Sequence, residues 1–379
     1  MEPFKNFLSP AVVRRIADHL VRVQPGLDHA AFMAPVLERL ESLEMKARAG
    51  LIAEALHRAL PADPGARAAT LEAMLHPACN GGGDGSDDSG LRGWAVWPLS
   101  MVIERHGLAD FDGSLALLRH MTMRFTAEFA VRPFLIADQP RALAVMAGWL
   151  DDPNEHVRRL VSEGTRPRLP WGMRLPALIA DPAPALPLLE ALRDDPAGYV
   201  RRSVANHLND IAKDHPALVC DLAGRWIVDA PPERRVLLRH ACRGLIKAGD
   251  PAALAVFGQH APQIAPAVPV LARDRLAMGE VLEFSVRLRS TAARDQTVSV
   301  DYLLYFRKAD GSLRPKVFKG VTRSLAPGET WDFTRRHALR PVTTRRHYPG
   351  EHALALRING QDTEAVAFDL RLEPSGSMP

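Results

Sequence analysis

The sequence predicts an all-α helical-repeat solenoid followed by a small all-β sandwich, and three observations lead there. From Ser9 to about His260 the apolar side chains recur at helical spacing, as in Val12, Val13, Ile16 and Leu20 or Val36, Leu40 and Leu43. After Pro269 the period changes to two, in Leu282-Glu283-Phe284-Ser285-Val286-Arg287-Leu288 and Val298-Ser299-Val300-Asp301-Tyr302-Leu303-Leu304-Tyr305. Within the first region the chain repeats itself: Asp151-Asp152-Pro153, followed by Val157-Arg158-Arg159, returns 43 residues later as Asp194-Asp195-Pro196, followed by Val200-Arg201-Arg202.

A chain of 379 residues with 47% apolar side chains can build two or three cores. Pro, Gly and Asp interrupt the first part often, so its helices are short. Asn80 to Gly93, rich in Gly and Asp, buries no face and is expected to be a mobile loop between helices. It lacks the Lys-Ser/Thr ending and flanking strand of a phosphate-cradling glycine run. The Asp-Pro start with Val-Arg-Arg one turn on fits the second helix of a HEAT-type pair. A weaker copy, Arg239 to Lys247, aligns with residues 205–213 at an offset of 34. Such pairs stack into a curved solenoid with equivalent helices side by side on its concave surface. Ala261 to Pro269 reads as a linker, giving domains 1–262 and 268–372. The turn tokens Ala309-Asp310-Gly311 and Ala326-Pro327-Gly328 fit a small antiparallel sandwich.

No apolar run approaches the ~20 residues of a membrane span, and Met1 to Pro10 has no signal stretch, so a soluble, unexported, cytoplasmic bacterial chain is expected. Cys79, Cys220 and Cys242 are scattered and odd in number, which disfavours disulfides and structural zinc; no metal site is expected. Charge is more informative. Residues 1–279 balance at 32 basic and 32 acidic side chains, whereas 280–372 carry 16 against 11. Arg335, Arg336, His337, Arg340, Arg345, Arg346 and His347 follow one another without a carboxylate. That stretch suits a polyanion, or is simply a solvated loop.

Aligning the repeats exposes a row of mixed charge. Arg124 precedes Glu128 by four residues, Arg159 precedes Glu163 likewise, and Arg202 is followed by Asn206 and Asp210. On helices each pair shares a face, and stacking sets the pairs in neighbouring columns about 10 Å apart. Such pairs are ordinarily solvated decoration worth a few tenths of a kcal/mol. They acquire a chemical purpose if the ligand is a polyanion that develops positive charge, as a nucleoside does when its glycosidic bond breaks through an oxocarbenium-like sugar.

Trp97-Pro98-Leu99, Ser114-Leu115 and the run Thr122 to Phe134, with Leu43 to Arg48, Ser162 to Pro167, Pro170-Trp171 and Arg239 to Lys247, resemble the AlkC branch of the HEAT-like-repeat alkylpurine DNA glycosylases. Long members of that branch carry a C-terminal immunoglobulin-like domain. The resemblance implies a monofunctional glycosylase, needing no metal or organic cofactor, that removes cationic N3-alkylated bases such as 3-methyladenine and 3-methylcytosine from double-stranded DNA without base flipping. A cationic base leaves neutral and needs no general acid.

By the same resemblance Glu128, Glu163 and Asp210 fall on the family's acidic positions as stabilisers of sugar charge, with Glu163 or Asp210 also positioning water. Arg124, Arg159, Arg202, Arg239 and Lys247 are then phosphate ligands or helix salt bridges. Asn206 bonds the DNA backbone or orients Asp210. Trp171 offers an aromatic face to the lesion or packs in its loop. Arg345 and Arg346 reach the far side of the duplex unless the β-domain merely caps the solenoid. A monomer is expected. The rival functions are a non-catalytic, architectural DNA-binding protein and a protein-interaction scaffold; carboxylates amid the arginines favour the enzyme.

Overall fold

The computed structural model describes residues 3–78, 85–342 and 346–372. By contact they form two compact units: Met1–His215 with Asp229–Ala241, and Pro216–Val228 with Cys242–Pro379.

The first unit is helical, and its helices start as their sequences dictate. Asp28 accepts from the amides of Ala30 and Ala31, Asp63 from Ala66, and Asn154 from His156, which satisfies first-turn N–H groups that have no helical partner. Four helices, Phe111–Thr122, Glu155–Gly164, Gly198–Ile211 and Pro232–Ala241, pack one against the next in chain order. The repeated motif explains their register. Arg158 donates to the carbonyls of Asp152 (2.7 Å) and Pro153, and Arg201 does the same to Asp195 and Pro196. The Arg158 guanidinium also reaches the Asp195 carboxylate of the following repeat at 2.6 Å, as Arg119 reaches Asp152. Arg158 therefore stitches its repeat to the next, while Arg201 closes the start of its own helix. That leaves the second, Arg159 or Arg202, to face elsewhere.

Three sequence expectations need correction in this unit. Arg124 and Glu128 do not share a helix, because the helix ends at Thr122 and both residues lie in turns beyond it. Arg124 donates instead to the carbonyls of His76 (2.7 Å), His120 (3.0 Å) and Pro77 (3.4 Å). A guanidinium that closes one open C-terminal carbonyl of the preceding helix and two of the segment after Ala73 is committed to the protein backbone and not to a phosphate. The weaker repeat copy is broken, since helix Pro232–Ala241 stops before helix Arg243–Ala248 begins. Arg239 and Lys247 thus fall in different units, although both are exposed. The offset of 34 is real at one point, where His240 Nε2 donates to Asn206 Oδ1 at 2.9 Å. Of the segment expected to be a mobile loop, residues 79–84 lie outside the described chain, but 85–93 are ordered. Leu91 is fully buried and bridges to Met74 and His76 through its backbone, an apolar anchor that the composition of the segment concealed.

The second unit holds two sheets. Strands β1 (Val270–Leu271), β3 (Val281–Arg289) and β6 (Thr330–Ala338) form one in the order β1-β3-β6. The other runs β2-β9-β7-β4-β5, with β2 Arg275–Ala277, β4 Gln296–Arg307, β5 Leu313–Leu325, β7 Gly350–Ile358, β8 Gln361–Asp362 paired to β7, and β9 Val366–Arg371. Along β3, Leu282, Phe284, Val286 and Leu288 are buried while Glu283, Ser285 and Arg287 are exposed, so the period-two pattern sorts one face into the core. The short helices Pro216–Trp226, Arg243–Ala248 and Pro251–Val256 belong to this unit. Gly249 and Gly360, both at positive φ, meet back to back, and a Cβ on Gly360 would stand 2.4 Å from the Gly249 carbonyl oxygen. Arg357 caps the adjacent helix by donating to the carbonyls of Lys247 (3.0 Å) and Ala248 (3.1 Å).

The basic stretch read as a loop is partly strand. Arg335, Arg336 and His337 lie in β6, with Arg336 paired to Glu283 and His337 stacked edge-on to Phe318. Arg346 is exposed over the Tyr348 ring, and Arg345 lies outside the described residues. Sequence reading missed a second basic element: the edge strand β5 exposes Arg314, Lys316, Lys319 and Arg323 with no acidic residue of its own. Exposed lysines on an edge strand also deter strand-to-strand aggregation.

Candidate active site

The acidic side chains of three consecutive repeats join into one line. Thr126 donates to Glu128 Oε2 at 2.7 Å, and Arg159 Nη1 reaches the same oxygen at 2.7 Å. The other Arg159 nitrogen lies 3.5 Å from Glu163 Oε1, which also accepts from Arg166 Nη1 at 2.6 Å. Arg166 Nε continues to Asp210 Oδ2 at 2.8 Å, and Lys213 closes the far end on Asp210 Oδ1 at 2.8 Å. Ser203 donates to Glu163 Oε2. Glu128, Glu163 and Asp210 are only 9%, 5% and 2% exposed, so the line lies just beneath the surface.

The predicted row is therefore present, with its arginines differently employed. Arg159 is largely buried over the Tyr199 ring and held between two carboxylates, which makes it part of the acidic centre and not an open phosphate ligand. Burial alone would lower its affinity for its proton, but Glu128 and Glu163 outweigh that and hold it above the ordinary arginine value. Arg202 does not pair with Asp210; it is exposed and lines a groove of about 310 Å³ with Gly198, Ala205, Glu233, Val236 and His240. Asn206 accepts from His240 and does not orient Asp210. Trp171 is 64% exposed at φ 65°, edge-on to Phe4 at 6.0 Å, and is not a packed loop residue.

Sequence reading overlooked Arg166, Lys213, Ser203 and Tyr199 as site residues. The i, i+3 spacings Glu163–Arg166 and Asp210–Lys213 were visible, but which acid a loop arginine bridges depends on the packing of two repeats. It also overlooked His207, which is fully buried, with Nδ1 donating to the Ser162 carbonyl at 3.0 Å. Burial drives its pKa down to about 4, against the smaller opposing pull of that carbonyl. The unfolded imidazole titrates near 6.5, so below that pH the unfolded chain takes up a proton that the folded chain refuses, and stability falls as pH drops from 6.5 towards 4. From this group the protein should be about 2 kcal/mol less stable at pH 5 than at pH 7. Urea unfolding of wild type and His207→Asn at both pH values measures it; an equal pH dependence in the two proteins contradicts the assignment.

Among the described residues no group of three or more His, Cys, Asp or Glu could hold a metal ion. Cys220 and Cys242 are buried free thiols pushed up to about 11 and about 12 by desolvation, which leaves them unreactive. Among the same residues no helix is long and apolar enough to cross a membrane.

Comparison with known proteins agrees with the fold. Residues 267–372 match the family described as "Uncharacterised protein YhaZ, C-terminal Ig-like domain". The uncharacterised YhaZ of Bacillus subtilis is 39% identical over 269 residues, which span 71% of this chain and 74% of that protein. The solved structure of the Pseudomonas fluorescens alkylpurine DNA glycosylase AlkC, bound to DNA containing an abasic site analogue, superposes with a TM-score of 0.81 at 34% identity, covering 98% of this chain and all of that one. The architecture is thus a HEAT-like-repeat helical region followed by an immunoglobulin-like sandwich, and the chain belongs to the AlkC-type alkylpurine DNA glycosylases.

Proposed function

We propose that the protein is a DNA-repair glycosylase that hydrolyses the N-glycosidic bond of cationic N3-alkylated bases, 3-methyladenine and 3-methylcytosine, in duplex DNA. The observation that carries this reading is the line of three buried carboxylates, Glu128, Glu163 and Asp210, joined through two buried arginines. A surface that merely grips phosphate gains nothing from buried negative charge, which repels the ligand. A site that must hold a sugar cation while its base departs gains a great deal, because fixed charges in a low-dielectric setting act with little solvent screening.

The carboxylates act through their field and not as nucleophiles. Both oxygens of Glu163 and both of Asp210 already accept from protein donors. Glu128 differs: its Oε2 takes Thr126 and Arg159, leaving Oε1 as the oxygen most open to a water. The water-positioning role inferred for Glu163 or Asp210 therefore moves to Glu128. With water as the nucleophile the enzyme is monofunctional, releasing a neutral base and leaving an abasic site in the strand. The base need not enter a deep pocket, which accords with excision without base flipping.

Trp171 presents its exposed ring to the cationic lesion. Arg202 and Arg239 of the first unit, and Lys247 and Arg346 of the second, are exposed cations for the DNA backbone. Arg345 joins them by its sequence position. We take the working form as a monomer on double-stranded DNA in the bacterial cytoplasm, with residues 1–262 as the glycosylase domain and 268–372 as the second clasp on the duplex. The test is to incubate the protein with methylated duplex DNA and chromatograph the released bases. Free 3-methyladenine is expected. Tight, salt-sensitive binding with no released base would favour an architectural DNA-binding protein instead.

A further inference from the structure

Among the described residues the largest fully buried side chain is a cation with no part in the proposed reaction. Arg132, with no exposed surface, starts the helix Arg132–Ala137 and makes no ion pair among the described residues. Its guanidinium donates to three carbonyls of a single loop: Gly164 at 2.8 Å, Arg166 at 2.8 Å, and Met173. Desolvation brings its pKa down to about 10. Burying a cation with no carboxylate bonded to it is costly, because Glu128, Asp210 and Glu163 act on it only at a distance and do not offset its desolvation. What the arginine provides is a planar fork whose donors are spread over three nitrogens, a span that the single nitrogen of a lysine ammonium cannot cover.

The loop it holds begins directly after Glu163. It carries Arg166, whose side chain joins Glu163 to Asp210, and it ends with Trp171 in the left-handed region and Met173. Its base is closed by the Leu175 amide on the Pro167 carbonyl at 3.1 Å. Its tip rests on Arg132 itself, since a Cβ on Gly172 would stand 3.3 Å from Arg132 Cδ and Nε.

We propose that Arg132 is a positioning residue for base excision: its buried guanidinium clamps the loop Gly164–Met173 and thereby sets both the Arg166 bridge and the presentation of Trp171. This inference rests on the glycosylase function proposed above. It is tested with Arg132→Lys, Trp171→Ala and the double variant, read by single-turnover release of 3-methyladenine from methylated duplex DNA, by the Kd for duplex containing an abasic-site analogue, and by the rate of tryptic cleavage after Arg168 and Arg174.

Arg132→Lys should lose about 10²-fold in the release rate, with Kd changed less than about 3-fold. Tryptic cleavage in the loop should accelerate about 10-fold as the clamped state loses population. The losses from Arg132→Lys and Trp171→Ala should combine to at least about 5-fold less than their product, because both act through one ring. Losses that multiply independently, unchanged cleavage, or a rise in Kd matching the fall in rate would each overturn the clamp. Should Arg132→Lys fail to fold, Gly172→Ala, whose Cβ would crowd Arg132 at 3.3 Å and Leu169 at 3.1 Å, loosens the same loop tip and must give the same pattern. If wild type releases no base, the glycosylase reading fails, while the cleavage comparison still decides whether the clamp exists.

Discussion

Glu163→Gln should slow release of 3-methyladenine from methylated duplex DNA by about 10²–10³-fold, the range found when one preorganised group is removed from a developing charge. The substitution is nearly isosteric and its surroundings can accept it. The introduced glutamine would keep an oxygen for Arg166, and the Ser203 hydroxyl can rotate to receive the new amide where it now donates. Arg166 retains Asp210 and Arg159 retains Glu128, so no buried cation is stranded. The fold should therefore persist, and the change removes one unit of negative charge from the centre of the line. Affinity for an abasic-analogue duplex, measured by fluorescence anisotropy, should hold within about 3-fold or improve, since the removed charge repels phosphate. A release rate within about 3-fold of wild type, in a protein that still binds, would mean that the acidic line does not serve the chemistry.

The parts of this molecule legible in the sequence are those governed by local periodicity or short-range repetition. The alternation of Leu282 to Leu288 became a strand with one buried face, and the doubled Asp-Pro and Val-Arg-Arg became stacked helices whose first arginines bond back to the helix start, Arg158 also reaching the next repeat. Glu128, Glu163 and Asp210 could be picked out because they recur at related positions, and the structure does bring them into one line. Their partners could not be assigned from spacing alone. The spacing pairs an arginine with the acid four residues on, yet Arg159 lies closer to Glu128 of the preceding repeat than to Glu163, and Arg124 is drawn to the backbone carbonyls of His76 and His120. Whether a long cationic side chain meets water, a carboxylate or a carbonyl is decided by packing between elements distant in sequence. The fork of Arg132, which spans 41 residues to Met173, shows why no local pattern could announce it.

The second large effect is expected at Arg166, and it should differ in kind from the first. Among the described residues Arg166 alone touches both Glu163 and Asp210, and its side chain is 9% exposed. Arg166→Met keeps much of the volume while removing the charge. Two buried carboxylates are then left with Lys213 on one and a 3.5 Å contact to Arg159 on the other. Breaking one partner of a buried ion pair costs about 3–5 kcal/mol, so thermal or urea unfolding should show a loss of that order at pH 7. With the bridge gone the two carboxylates are no longer held in line beneath the sugar, so release of 3-methyladenine should fall together with stability. Glu163→Gln strands no buried charge and should lose rate alone, so the contrast between the two variants separates charge stabilisation from structural damage. If Arg166→Met loses that stability yet releases base at the wild-type rate, the arginine holds the loop without positioning the carboxylates. If it loses no stability at all, the ion-pair line is not continuous through Arg166 in solution.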